Sequence, residues 1–191
     1  KYWDVYLEEE IKKFPDNLFY LSGTNISIST GLINYDCGSS IESFDENKFE
    51  EFCKDDVSKD LQGSHWSPHV IHRNLWESVG GFSEEFNPGD GSDPDFCMKL
   101  WNKKVRVFKT ISKFKVYHFS SMTTRKRGVK LNNGTKIFTL KYGFNPRYFR
   151  KYYLKGDGQN IFNGPLKEPK MNVNMFLDYV INKLKFFYYK V

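Results

Sequence analysis

The chain contains no run of eighteen or more apolar residues, so nothing in it reads as a membrane span, and no signal peptide is read at its start. Its three cysteines, Cys37, Cys53 and Cys97, are odd in number and carry no C-x-x-C spacing. That argues against a disulfide framework and a zinc site, and leads to the expectation of free thiols in a reducing, cytoplasmic compartment. Three of the four histidines, His65, His69 and His72, fall where a strand would turn successive side chains to opposite faces, so they are read as structural rather than as a ligand set. There is no internal repeat and no low-complexity tract. An RNP-like, zinc-finger or helix-turn-helix signature is also lacking, which disfavours a nucleic-acid partner.

What is present is basic and aromatic. Lysine and arginine outnumber the acids 29 to 23, giving a net charge of +6 and a pI near 9.0. Much of the surplus follows residue 100: Lys103, Lys104, Arg106, Lys109, Lys113, Lys115 and Arg125-Lys126-Arg127. Such a surface suits anionic partners such as nucleotide diphosphates or anionic lipid, and it also suits plain solvation. With 18 Phe, 12 Tyr and 4 Trp in 191 residues, the chain can bury a core, as one domain or the larger part of one.

Residues 2–14 predict an amphipathic helix, stopped by Pro15-Asp16-Asn17. Leu18–Leu21 and Asn25–Ser29 predict two strands joined through Ser22-Gly23-Thr24, and Glu46–Lys54 a charged helix. Ser67–His72 predicts a short strand, while Val105–Phe108 and Phe114–Phe119 alternate as two more. A helix is expected over Gly134–Tyr142 with Gly143 as its stop, and one or two further turns over Pro146–Leu154. Residues 156–170 read as a linker and 171–191 as an amphipathic C-terminal helix dense in apolar and aromatic groups, expected either to pack on the rest of a larger enzyme or to lie at an anionic membrane surface. Strands interleaved with helices make this α/β.

The densest information lies in Ser67–Trp101, SPHVIHRNLWESVGGFSEEFNPGDGSDPDFCMKLW. A helical turn at Asn74–Val79 gives way to Gly80-Gly81-Phe82 and an acidic loop. Asp93-Pro94-Asp95 then opens a helix over Phe96–Trp101, with Asp93 placed as N-cap and Pro94 at its first position. The loop thus delivers carboxylates to the mouth of a helix.

Taken in order, R-x-x-W-E-x-V-G-G-F-x-E-x-F-x-P-G (Arg73–Gly89), D-x-D-F-x-x-K-L-W (Asp93–Trp101) and Tyr117-His118-Phe119 resemble the acceptor half of family-2 inverting nucleotide-sugar glycosyltransferases with the GT-A fold. The match covers about a quarter of the chain. It implies a Rossmann-like mixed sheet flanked by helices, a partial domain over residues 1–155 with C-terminal helices after it, and a donor-binding half upstream of Lys1. The implied reaction transfers a sugar from a nucleotide-sugar donor to a saccharide or glycolipid acceptor, with a divalent metal (Mn²⁺ or Mg²⁺) as cofactor and contact with the periphery of a membrane, and the chain alone is expected to be inactive without the upstream donor-binding half.

By the same resemblance Asp93 is the general base, although Ser92 stands where the family's first acid stands. Asp90 and Asp95 face the acceptor, Asp95 alternatively bonding to the loop, and His118 completes the metal shell. Arg125, Lys126 and Arg127 form an arm for the diphosphate or a solvated charge run. Trp66, beside His65 and before Pro68, is the tryptophan placed for sugar stacking, whereas Trp76 and Trp101 fall at helical spacings and read as core. A non-catalytic carbohydrate-binding or scaffolding domain of the same fold is the alternative.

Overall fold

A computed structural model of the chain describes residues 2–55, 57–63, 66, 68–88, 90–119 and 131–191. It is a mixed α/β structure whose sheet runs β2-β1-β5-β3, with β4 also paired to β1. These strands are β1 (Phe19–Ser27), β2 (Ile33–Asn34), β3 (Leu61–Gln62), β4 (His69–Val70) and β5 (Val107–Tyr117). β1 pairs parallel with β5 and β2, while β4 on β1 and β3 on β5 are antiparallel.

The two central strands are each longer than their sequences suggest. The chain was expected to break at Ser22-Gly23-Thr24 and between Phe108 and Phe114; instead β1 and β5 run through both places. The polar groups that look like turn signals are buried and answer one another. Ser22 Oγ and Thr110 Oγ1 share a hydrogen bond of 2.8 Å, and Thr24 Oγ1 donates to the Ile111 carbonyl at 3.0 Å. The register slips at this point: Gly23 pairs with Ile111 and Thr24 with Lys115, so residues 112–114 bulge out of the ladder. Gly23 is needed there because a Cβ would lie 2.8 Å from the Phe114 carbonyl oxygen.

Alternation along β1 separates two apolar layers. Phe19 and Leu21 join Ile111 and Phe114 beneath α1 (Trp3–Ile11), which contributes Leu7. Tyr20 and Phe108, partners in register, face the larger core on the other side. That core is completed by α4 (Ser92–Asn102), α5 (Gly134–Tyr142), α6 (Pro146–Phe149) with the π-helical turn Arg150–Leu154, and Met175 of α7 (Val173–Lys190). Trp101 is buried with Phe96 and Leu100, and Trp76 packs against them from α3 (Arg73–Ser78), as read. α2 (Glu46–Asp55) follows β2. The segment read as a linker is bonded to the sheet edge: Phe162 N–H donates to the Asp60 carbonyl at 2.9 Å and Leu166 N–H to Arg106 at 2.8 Å. None of the three cysteines is in a disulfide.

One charge sits inside this frame. The Lys109 ammonium on β5, in register with Leu21, is buried against Glu10 of α1 at 2.5 Å and Asp60 at 2.7 Å. Burial pushes the Asp60 carboxyl up, but its bonds from Lys109 and Ser112 outweigh that and hold it below the ordinary carboxylate value. Lys109→Met should therefore cost about 3–5 kcal/mol, because it strands two acids beside an apolar layer. Urea unfolding followed by circular dichroism checks this. A midpoint equal to that of the unmodified protein would mean the pair is solvated.

Candidate functional site: the acidic mouth of α4

The site is built outward from the glycine pair after α3. His72 opens α3, its Nδ1 accepting from Asn74 N–H at 3.2 Å. Gly80 and Gly81 then turn the chain with φ of 72° and 59°. Gly81 lies flat against the Trp76 indole, where a Cβ would fall 2.8 Å from the ring, whereas a Cβ on Gly80 meets nothing within 4 Å. The turn is anchored by Lys99 of α4, whose Nζ donates to the Gly81 carbonyl at 2.5 Å and to Ser83 Oγ at 3.0 Å. Beyond the short turn Glu84–Phe86, the chain reaches Asp90 and Gly91. Their backbone presses on Gly134 at the start of α5 so closely that a Cβ there would lie 1.8 Å from the Asp90 carbonyl oxygen.

α4 begins earlier than expected, at Ser92, and its N-cap is Gly91 in the left-handed region at φ 96°. Asp93 is therefore not the cap but a residue of the first turn, and Pro94 lies one position past it. Glycine wins the cap because the chain must turn sharply beside Phe86, whose ring leaves no room for a Cβ.

Two carboxylates in this turn have opposite surroundings. Asp95 has no exposed surface. Its Oδ1 accepts from Tyr142 Oη at 2.7 Å and pairs with Lys141 Nζ at 2.8 Å, and its Oδ2 accepts from Ser83 Oγ at 2.7 Å. Lys99 Nζ stands 3.8 Å away. Burial alone would push this carboxyl up, yet the bonds from Lys141, Ser83 and Tyr142 hold it below the ordinary carboxylate value. Lys141 also pairs with Glu85 at 2.6 Å. Of the two roles expected for Asp95, the bond to the loop is the one seen, and both of its oxygens are engaged by protein.

Asp93 is partly buried, and among the described residues no donor bonds its carboxylate. Burial pushes its carboxyl up from the ordinary value, and the neighbouring charge of Asp90, itself exposed, pushes it further. Such an acid gains basicity without losing access to a ligand.

The remaining candidates are Trp66, His118 and the basic run after it. Trp66 is half-buried, packs against the larger core and accepts a 3.3 Å bond from Tyr20 Oη at its carbonyl. His118 is exposed just past β5, its N–H donating to the Ile26 carbonyl at 2.8 Å, and no hydrogen bond or ion pair joins it to Asp90 or Asp93. Among the described residues no three His, Cys, Asp or Glu side chains converge as a metal-binding group, so His118 is not part of a ligand shell formed by those residues. Arg125, Lys126 and Arg127 lie outside the described residues. A cleft of about 430 Å³ opens between α1 and β5, lined by Tyr6, Glu10, Lys13, Asp60, Lys109 and Phe162 among others, but the acidic mouth is not part of its wall.

Ser83, Lys99, Lys141 and Tyr142 were not singled out by sequence reasoning as parts of the site. Lys99 and Asp95 do stand at i, i+4 on one helix, a signal that was available. Lys141 and Tyr142 reach Asp95 across 46 and 47 residues, and their local pattern reads only as a helix end.

Two stability measurements check the arrangement. Asp95→Asn should lose roughly 2–4 kcal/mol at neutral pH, since Lys141 and Lys99 keep their charge beside a neutral amide. The folded value of Asp95 is depressed, so its contribution is complete above the unfolded carboxylate value of about 3.9 and fades as pH falls below it. Asp93 has the opposite sign. Its raised value means that folding favours the proton, so its contribution is present below about 3.9 and lost as pH rises through the folded value. Asp93→Asn should therefore leave neutral-pH stability unchanged or slightly higher. Equal losses from both variants would contradict the assignment of environments. Separately, Gly80→Ala should cost about 1 kcal/mol of left-handed strain, and Gly81→Ala about 2–4 kcal/mol because the Trp76 ring must also move. Thermal denaturation that ranks them equally would place the indole elsewhere.

Compared with known proteins, the chain matches no protein-family model, no curated protein and no solved structure.

Proposed function

We propose that this chain carries the acceptor side of an inverting, family-2-like glycosyltransferase of GT-A type, which moves a sugar from a nucleotide-sugar donor to a saccharide or glycolipid hydroxyl. The observation that carries the reading is the divergence of two carboxylates one helical turn apart at most: Asp95 bonded at both oxygens and lowered, Asp93 raised and, among the described residues, without a donor. Environments that push neighbouring acids apart mark a division of labour between structure and proton transfer. The ordered motif from Arg73 to Trp101 supplies the reaction class.

On this reading Asp93 accepts the proton of the acceptor hydroxyl as that oxygen attacks the anomeric carbon. A base whose value is raised by burial and by the Asp90 charge holds that proton better than an ordinary aspartate. Asp90 is exposed beside it, where it raises Asp93 and can bond to sugar hydroxyls. Asp95 acts through position: it locks Ser83 of the loop to Lys141 and Tyr142 of α5 and so fixes where Asp93 points. The metal expected from the resemblance has no shell among the described residues, and no step here is routed through it.

The test is transfer from a panel of nucleotide sugars to saccharide acceptors, manganese included, by a protein in which this chain is joined to its donor-binding half. Asp93→Asn should lower turnover roughly 10²–10⁴-fold with nucleotide-sugar affinity little changed. Asp90→Asn should lower the pH at which the activity's acidic limb rises, since it removes the charge that lifts Asp93. Saccharide binding without turnover when the donor-binding half is present would replace this reading with that of a carbohydrate-binding domain. Full turnover by Asp93→Asn would remove the base.

A further inference from the structure

One face of α7 is left uncovered by the other described residues, and its opposite face is fastened. Asn182 is buried, its Oδ1 accepting from Asn145 N–H at 2.8 Å and its Nδ2 donating to the Asp178 carbonyl at 2.7 Å. Met175 is buried in the larger core on the same side. Asp178 accepts from Lys151 at 2.7 Å and from Tyr152 at 2.6 Å. These contacts fix the rotation of the helix about its axis. The apolar residues turned outward include Phe176, Leu177, Ile181, Leu184, Phe187 and Tyr188, each between 51 and 79% exposed. At 100° per residue they sweep roughly 140° of arc, wider than the seam that two paired helices need.

The charges around this face select its occupant. By the same helical arithmetic Lys183 and Lys190 border the apolar arc on one side and Lys185 on the other. The helix has a single carboxylate, Asp178, and that one is already engaged by Lys151 and Tyr152. A second copy of the chain laid on this face would set lysine against lysine along both borders. An anionic surface meets the exposed Lys185 and Lys190, while the Lys183 ammonium lies over the Tyr179 and Phe186 rings. Among the described residues no helix is long and apolar enough to cross a membrane, and an 18-residue helix is about 27 Å long, enough to lie along one. A cationic border around an aliphatic and aromatic face is the composition of helices that rest in the headgroup layer.

We infer that α7 lies in the interfacial plane of an anionic bilayer, its Phe176–Tyr188 face among the acyl chains and its lysines among the headgroups. The inference stands independently of sugar transfer, because none of its residues belongs to the acidic mouth, so absence of transferase activity does not bear on it.

Co-sedimentation with vesicles tests it. The protein should bind vesicles of phosphatidylcholine with added phosphatidylserine, bind phosphatidylcholine alone far less, and lose affinity as salt rises. Leu184→Glu with Phe187→Glu should abolish binding without lowering the melting temperature, since both side chains are exposed in the free protein. Lys185→Gln with Lys190→Gln should weaken binding roughly 10–30-fold, each lysine near an anionic surface contributing about a factor of five. Three results would overturn the inference: no binding to the anionic vesicles, equal binding by the lysine variant, or a dimer in sedimentation equilibrium that Leu184→Glu dissolves. The last would show that a second copy covers the face.

Discussion

A carboxylate with no exposed surface must be met by donors, and in this protein the donors that meet Asp95 come from both sides of the acidic loop. Ser83 approaches from the turn after α3, and Lys141 and Tyr142 from the last turn of α5. Leaving such a charge unanswered would cost several kcal/mol, a large part of the stability of a chain this size. The loop and α5 are therefore held together by the need to solvate one buried side chain, and the position of α4's first turn follows from it.

The same need explains why Asp93 is left alone. Ser83, Tyr142 and Lys141 direct their donors to Asp95, and α4 takes its cap from glycine, which offers no side chain. What remains at Asp93 is partial burial and the charge of Asp90, both of which disfavour ionisation. A turn arranged only for stability would have given Asp93 a partner. Among the described residues the chain instead keeps an acid whose ionised form is disfavoured by its surroundings.

Local chemistry was legible in the sequence wherever one element decided its own bounds. α5 runs over Gly134–Tyr142 as read, because Asn133 caps it, accepting from Lys136 N–H, and Gly143 ends it at φ 79°. α7 is opened by Asn172 in the same way. The two central strands were cut in half by their own polarity: Ser22, Thr24, Lys109 and Thr110 look like surface residues until a partner strand and α1 supply the groups that satisfy them. The mouth of α4 was legible as a cluster of acids but not as two kinds of acid. What separates Asp93 from Asp95 is supplied in large part by residues nearly fifty positions away, and no spacing rule reaches that far.

The contact between Gly134 and the backbone of Asp90 has a consequence for how such a chain can change over generations. The Cβ of any other residue at position 134 would drive into that carbonyl, so the position is closed to every replacement unless the loop moves with it. Loop displacement would carry Asp90 away from Asp93 and let the acid relax. Position 134 and the acidic loop are thus one inherited unit, free to drift together and not apart, although forty-odd residues of sequence lie between them.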